Sequence, residues 1–174
     1  PESHDTERVA ADLEREGLHD PVLIERAYRM RYMFAAVFST GVMMPVGFEY
    51  GFRGRLNVVH TRPEHWETPL FDISGYIAEV NRMRAGIPIL NEEGRQNQID
   101  GGDPAVVCLL RRAHAGPAWV LSVFNTDLHH GHDARIVAID DAAFAAREVT
   151  PGSNGTGIAA GESFGLAPGA ARIF

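Results

Sequence analysis

The fold prediction starts from one stretch of the chain, Gly41-Val42-Met43-Met44-Pro45-Val46-Gly47-Phe48-Glu49. Its first glycine can end a helix, and residues 42–46 have the length and apolar content of a short strand buried on both faces. Strands of that kind occur in parallel sheets that helices cover. Pro45 cannot donate a hydrogen bond to a neighbouring strand, so we expect it at the end of this one.

A helix is predicted before this strand, between residues 20 and 40. Asp20 can cap it, and Pro21 suits the first helical position. Apolar residues then recur with helical spacing at Leu23, Ala27, Met30 and Phe34. The end of the segment, residues 33–38, is apolar all round, so we expect it to be buried on most sides.

A second helix is predicted after a long polar loop over residues 52–70. Asp72 can cap this helix, and Gly86 ends it. Its apolar stripe consists of Ile73, Ile77, Val80 and Met83. Helix, strand, loop and helix in this order are typical of an α/β barrel.

The second half of the chain has a different pattern. Residues 92–104 are almost entirely polar or glycine, which indicates a linker. Beyond them, five strand-like segments are separated by turn residues, at 105–110, 118–124, 135–139, 147–150 and 170–174. Short strands at such spacing favour a small antiparallel sandwich. We therefore predict two domains, residues 1–91 and residues 92–174.

The composition indicates an ordinary folded protein. The 174 residues are 45% apolar and 22% charged, which suits one globular domain or two small ones. A net charge of -7 without long runs of like charge argues against nucleic acid and anionic membranes as partners. Cys108 lies in an apolar run and is predicted to be a buried, inert thiol. A single cysteine of this kind favours a reducing compartment, so we expect a cytoplasmic protein.

A family resemblance rests on two motifs. Near the N-terminus, Ser3-His4-Asp5-Thr6-Glu7-Arg8 contains a His-Asp pair with an arginine three residues later. With Met44-Pro45-Val46-Gly47-Phe48-Glu49 and the β-rich tail, it resembles the end of the catalytic barrel in the alpha-amylase family of glycoside hydrolases. The motifs are similar to that family's seventh-strand Asn-His-Asp segment and its eighth-strand segment. The resemblance implies the last two βα units of a (β/α)8 barrel, followed by a small antiparallel β-sandwich.

The resemblance also implies roles for single residues. Asp5 would be catalytic as the carboxylate that stabilises the transition state of a retaining enzyme, without attacking or donating a proton. A nearby anion and tightening hydroxyl contacts both favour an oxocarbenium-like transition state. The implied substrate-binding residues are His4, Arg8, Glu49 and Trp66. Arg8 could instead orient Asp5 or be solvated, and Ser3 stands where the family usually has asparagine, which leaves the sugar contacts open.

The implied function is that of a fragment. A complete barrel takes roughly 250 residues, so this chain has space for only its last two βα units. We expect part of an α-glucan-active hydrolase or transglycosylase, inactive alone, with α-glucan or maltooligosaccharide as substrate. The loop at residues 57–67 is similar to that of maltosyl-transferring relatives. No cofactor is predicted, and calcium in an intact enzyme stays open, as does the oligomeric state. The alternative is a non-catalytic glucan-binding or structural module.

Two of these residue assignments have structural alternatives. The His-Asp segment could be a helix N-terminus at which Ser3 or Asp5 provides the cap and Glu2 or Glu7 favours the helix dipole. Because the eighth-strand motif accompanies it, we favour the catalytic interpretation. Glu49 is either a carboxylate on the substrate side or an ion-pair partner of Arg53 or Arg55.

Two further features have competing interpretations. The segment His129-His130-Gly131-His132-Asp133 has the composition of a metal site. Because it lies between two predicted strands and has a central glycine, we favour a solvated hairpin turn and predict no metal. Trp66, in the loop after the predicted barrel strand, could stack on a sugar ring. Trp119 alternates with Val120 inside a predicted strand and is expected to pack in the core or at its rim.

Overall fold

The computed structural model describes residues 2–174, and its α-helices all precede its strands. The α-helices are α1 (Val9–Arg15), α2 (Pro21–Phe38) and α3 (Ser74–Ala85). Short 3-10 helices lie at Phe48–Tyr50, Pro63–His65 and Pro88–Asn91. The strands are β1 (Gln96–Ile99), β2 (Val106–Arg112), β3 (Trp119–Asn125), β4 (His132–Arg135), β5 (Ala145–Arg147), β6 (Gly157–Ala159), β7 (Ser163–Leu166) and β8 (Ala171–Ile173). Within this described part, no helix is long and apolar enough to cross a bilayer.

Helix α2 begins as predicted but buries a different stripe. The Asp20 carboxylate accepts a hydrogen bond from the Val22 amide at 2.9 Å, and proline occupies the first turn. The buried residues are Ile24, Ala27, Tyr28, Tyr32, Met33, Ala36 and Val37. Phe34 and Phe38 are 38% and 51% exposed, so the predicted burial of residues 33–38 on most sides is wrong. The helix has two apolar stripes, and its tertiary contacts bury one of them.

Helix α3 confirms its sequence prediction. The Asp72 carboxylate accepts a hydrogen bond from the Ser74 amide at 2.9 Å. At the other end, the Gly86 amide donates to the last helical carbonyls. Ile73, Ile77 and Val80 are all buried in the core shared with α2. Local capping and helical spacing therefore suffice to predict this element.

Residues 42–46 do not form a strand, so that prediction is wrong. Within residues 2–174, no extended segment lies beside them to complete a ladder of hydrogen bonds. The Val46 carbonyl instead accepts a hydrogen bond from Arg8, and the Pro45 carbonyl accepts one from Phe48. Met43 and Val46 are 59% and 42% exposed. Apolar character predicted burial here, but strand formation also requires a partner.

A four-stranded antiparallel sheet in the order β1-β2-β3-β8 forms the centre of the second half. Its strand β1 corrects the prediction that residues 92–104 are all linker, because Ile99 pairs with Cys108 and Gln96 with Arg111. An edge strand can form from polar residues, so the sequence of β1 has no apolar pattern that would predict a strand. The structure also adds β6 and β7 in the glycine-rich region, where they pair with β5 and β4.

Both faces of this sheet are covered. Val107 and Phe124 are paired across β2 and β3 on the face that packs against the helices. Cys108 and Val123 are paired on the opposite face, which packs against the β4-β7 and β5-β6 ribbons. Burial raises the pKa of the Cys108 thiol to about 12, which confirms the prediction of a buried, inert cysteine. The helices and the sheet thus share one apolar core, and the division at residue 91 stays a prediction.

Arg111 ties the helical half to the sheet. It is 5% exposed, and its guanidinium donates to the carbonyl oxygens of Phe38, Ile89 and Glu92 and to the side chain of Gln96. These acceptors belong to the end of α2, the 3-10 helix before the sheet, the following residue and strand β1. One planar side chain with several donors can satisfy such a dispersed set of acceptors.

We expect Arg111→Met to lower the free energy of unfolding by about 2–3 kcal/mol, because it leaves buried carbonyl oxygens without donors. Arg112→Met is the matched control, since the guanidinium of Arg112, the next residue, pairs with the largely exposed Asp140. A surface pair of this kind contributes less than about 1 kcal/mol. Urea unfolding followed by circular dichroism measures both changes, and equal losses would contradict the proposed role of Arg111.

Candidate functional site

The His-Asp motif forms an exposed turn just before α1. The Ser3 hydroxyl accepts a hydrogen bond from the Asp5 amide at 3.2 Å, and the Ser3 carbonyl accepts from the Thr6 amide at 3.4 Å. The Asp5 side chain is 80% exposed, and its carboxylate lies 3.5 Å from the His4 imidazole. The motif therefore presents a carboxylate and an imidazole to solvent from a turn that its own backbone closes.

The helix-cap interpretation of this motif is wrong for Ser3 and Asp5. Helix α1 begins at Val9, and neither side chain bonds to its first turn. The Glu2 carboxylate takes that place, because its Oε1 accepts a hydrogen bond from the Val9 amide at 2.7 Å. The sequence indicates Glu2 or Glu7 as an acidic residue that favours the helix dipole, and the structure adds this direct hydrogen bond of Glu2 to the first helical amide.

Arg8 is buried, so the interpretation that it is solvated is wrong. Its side chain is 4% exposed and forms an ion pair with Glu2 at 2.8 Å. The same guanidinium donates to the carbonyl oxygens of Val46 and Gly54, at 2.8 Å and 3.0 Å. A side chain held on this many sides is not placed to bind a sugar, which corrects the predicted role of Arg8 in substrate binding.

His4 and Asp5 line an open cleft of about 610 Å³ together with residues 55–59. The Arg55 guanidinium donates to the Asp5 carbonyl at 3.3 Å and lies 3.8 Å from the Glu7 carboxylate. The cleft thus combines an aspartate, a histidine and an arginine with the apolar side chains of the 55–59 segment. Such a surface can offer hydrogen bonds and charge to a polyhydroxylated ligand while contacting its apolar faces.

The loop on the far side of this cleft is held by its own polar groups. The Glu67 carboxylate accepts hydrogen bonds from the Arg53 and Gly54 amides, at 2.9 Å and 2.5 Å. Asn57 accepts from the Val59 and His60 amides, which closes a turn. No short-range sequence pattern indicates that Glu67 holds this loop, because its partners lie thirteen and fourteen residues earlier.

Glu49 and Trp66 lie outside the cleft that the His-Asp turn lines. Glu49 accepts a hydrogen bond from the Gly47 amide at 3.0 Å. The predicted arginine partners of Glu49 pair elsewhere, Arg53 with Glu14 and Arg55 with Glu7, so that alternative is wrong. Trp66 is 53% exposed, and its ring centroid lies 6.5 Å from that of Phe52. Neither residue lines the cleft beside His4 and Asp5.

Comparison with known proteins gives one informative sequence match. No protein-family model matches the chain. Over 138 residues, it is 34% identical to an alpha-1,4-glucan:maltose-1-phosphate maltosyltransferase of Burkholderia pseudomallei. That match covers 75% of the chain and 12% of the maltosyltransferase.

Solved structures show the same fold. An alpha-amylase of Geobacillus thermoleovorans, determined with acarbose, superposes with a TM-score of 0.66 at 16% identity, over 99% of this chain and 37% of its own. A maltogenic alpha-amylase of Thermotoga neapolitana superposes with a TM-score of 0.65 at 17% identity, over 99% and 39%. The chain resembles the alpha-amylase family of glycoside hydrolases, in sequence through the maltosyltransferase and in fold through the two amylases. It spans well under half the length of each of these relatives.

A second polar cluster lies at the loops of the sheet. The two ring nitrogens of His132 lie 2.9 Å from the Asp103 carboxylate and 3.2 Å from the Asp127 carboxylate. His130 lies 3.0 Å from the same Asp127. In the part of the chain that the structure describes, no group of three or more His, Cys, Asp or Glu side chains is arranged to hold a metal ion.

The predicted hairpin turn at this cluster is wrong. Strand β3 pairs with β2 and β8, whereas β4 pairs with β7, so residues 126–131 cross from one sheet to another. The histidine between the two carboxylates joins the loop before β2 to the loop after β3. Hydrogen bonds that His132 donates to Asp103 and then to Asp127 raise the pKa of His132 above its ordinary value near 6.5. A hydrogen bond from the His132 side chain, and then one from the Ala105 amide, lower the pKa of Asp103. Hydrogen bonds from the His129 amide and then from the His130 and His132 side chains lower the pKa of Asp127.

Stability should therefore depend on His132 in a defined pH window. A raised histidine pKa contributes stability that is complete below the unfolded value near 6.5 and is lost as the pH rises through the folded value. Lowered aspartate pKa values contribute stability above their ordinary value of 3.8, which is lost at lower pH. We expect His132→Gln to lower the urea midpoint more at pH 5.5 than at pH 9, whereas the exposed neighbour His129→Gln changes neither. An equal effect of His132→Gln at both pH values would contradict this assignment.

Proposed function

We propose that the chain is the C-terminal part of a retaining, α-glucan-active enzyme. Residues 1–91 would form the last two βα units of a (β/α)8 barrel, and residues 92–174 an antiparallel β-sandwich. The observation that carries the proposal is the exposed Asp5 carboxylate beside His4, on a turn that opens on a cleft. The substrate would be an α-glucan or a maltooligosaccharide.

An apolar groove supports the barrel part of this proposal. Helix α2, the segment after it and the sheet line a groove of about 490 Å³, whose apolar side chains include Phe34, Phe38, Met43 and Phe124. An exposed apolar surface of this kind is a site for a further contact. Residues 42–46 beside it have strand-like sequence and no strand partner among the described residues. Additional barrel strands would cover the groove and pair with this segment.

The proposed chemistry of Asp5 is electrostatic. Cleavage of a glycosidic bond develops positive charge on the anomeric carbon and the ring oxygen, and a fixed carboxylate nearby lowers the energy of that state. His4 would donate a hydrogen bond to a hydroxyl of the same sugar. A retaining mechanism also needs a nucleophile and an acid/base with carboxyl groups about 5–5.5 Å apart, which this proposal assigns to other barrel strands.

Glycosyl transfer is favoured over hydrolysis by one observation. The sequence relative at 34% identity is a maltosyltransferase that acts with maltose-1-phosphate and alpha-1,4-glucan, whereas the amylases match at 16% and 17%. An intact enzyme given maltose-1-phosphate should therefore release phosphate only when a maltooligosaccharide acceptor is present. Release of maltose without an acceptor would favour hydrolysis, and no turnover of either substrate would favour a non-catalytic glucan-binding module.

In the intact enzyme, we expect Asp5→Asn to lower kcat roughly 10³-fold or more, because it removes a charge that acts on the transition state. Asp12→Asn, which removes a carboxylate from the surface of α1, should leave kcat unchanged. Steady-state phosphate release measures both, and circular dichroism checks the fold. Near-normal turnover in Asp5→Asn would end the catalytic assignment.

Trp66→Ala should raise KM about three- to tenfold at nearly constant kcat, because an exposed indole can stack on a sugar away from the reacting bond. Trp66→Phe keeps an aromatic face and should restore most of the affinity. Initial rates across a range of maltooligosaccharide concentrations separate the two constants. A loss of kcat at constant KM would contradict a role as an outer sugar subsite.

A further inference from the structure

The turn that carries Asp5 is held at both ends by one buried ion pair. Glu2 precedes the turn and Arg8 follows it, and their side chains are 0% and 4% exposed. Removing two charges from water is costly, and a buried pair is therefore weak evidence for added stability. What such a pair does provide is a fixed distance between two points of the backbone.

The Glu2 end of the pair is held by groups of two helices. Its Oε1 accepts hydrogen bonds from the Val9 amide at 2.7 Å and from the Tyr28 hydroxyl at 3.1 Å. The same hydroxyl accepts from the Ala10 amide at 2.9 Å. Burial, and secondarily the negative charge of Glu2, raise the pKa of Tyr28, so this hydroxyl keeps its proton as a donor. Glu2 is thus fixed relative to α1 and α2.

The Arg8 end reaches the backbone that leads into the other wall of the cleft. It donates to the carbonyl oxygens of Val46 and Gly54, which flank the residues leading into the cleft-lining 55–59 segment. The ion pair therefore sets the position of the Asp5 turn relative to that segment. Among residues 2–174, the only basic side chain within 4 Å of the Asp5 carboxylate is that of His4. Its position consequently depends on the backbone that carries it.

We propose that Glu2 and Arg8 are positioning residues. They hold the Asp5 turn relative to the 55–59 segment so that the Asp5 carboxylate can contact the sugar. This inference rests on the proposed function. Neither residue touches substrate. Catalysis is sensitive to such placement, since a misplacement of about 1 Å can lower a rate on the order of 10²-fold.

The test uses the double variant Glu2→Gln/Arg8→Met, which removes both charges together and leaves neither one buried alone. The matched control is Asp12→Asn/Arg15→Met, because this pair lies at the same 2.8 Å separation on the exposed side of α1. In the intact enzyme, the first variant should lower kcat on the order of 10²-fold with KM changed less than about threefold. The control should leave both constants unchanged.

Combination with Asp5→Asn separates positioning from a general structural effect. If Glu2 and Arg8 act through Asp5, the triple variant should be no slower than Asp5→Asn alone, because the carboxylate that they position is already absent. Losses that multiply would overturn the inference. In the 174-residue chain itself, amide hydrogen exchange of residues 3–8 should accelerate in the double variant but not in the control, and unchanged exchange would also overturn it.

The outcomes distinguish this inference from the proposed function. Normal turnover in Asp5→Asn would remove the proposed function itself. A slow Asp5→Asn with normal turnover in Glu2→Gln/Arg8→Met would overturn the positioning role and leave the proposed function in place. If the double variant does not fold, Tyr28→Phe replaces it, since this change removes one hydrogen bond from Glu2 and keeps both charges. It should lower kcat severalfold, with the same non-additivity toward Asp5→Asn, and additive losses would overturn the inference.

Discussion

The central sheet is buried on both faces, and the rest of the structure is arranged around that constraint. On one face, Phe124 and Ile173 pack against the helices, and on the other, Cys108 and Leu121 pack against the two ribbons. Burial on two sides lets short strands contribute to two apolar clusters, one on each face of the sheet, in a chain of modest length. Because α2 lies against this sheet, the sheet also determines where α2 presents Tyr28.

Buried charged side chains then connect this core to the candidate site. Tyr28 bonds to Glu2, Glu2 pairs with Arg8, and Arg8 donates to the Gly54 carbonyl directly before the cleft-lining 55–59 segment. Arg111 does the same between α2 and the sheet with carbonyl acceptors and one amide side chain. In both places a guanidinium satisfies several acceptors at once, which makes its burial tolerable and links segments that are far apart in sequence.

The elements that were predicted correctly are those specified by neighbours in sequence. Helix α3 has a cap, a helical stripe and a terminal glycine within fourteen or so residues, and the structure places all of them as expected. Strand formation at residues 42–46 failed because a strand depends on a partner, which the local sequence does not specify. Strands β1, β6 and β7 were missed because polar and glycine-rich edges pair without a strong apolar pattern.

The sequence by itself determined the caps of α2 and α3, the apolar strands β2 and β3, the buried cysteine and the motifs that relate the chain to the alpha-amylase family. These depend on residue type and short spacing, which are written directly in the chain. Tertiary structure alone decided that Arg8 is buried against Glu2 and that α2 buries Ile24 and Tyr28 in preference to Phe34. The physical reason is that burial and pairing depend on which distant groups meet, and an arginine or an apolar stripe is compatible with several partners until the fold brings one of them into contact.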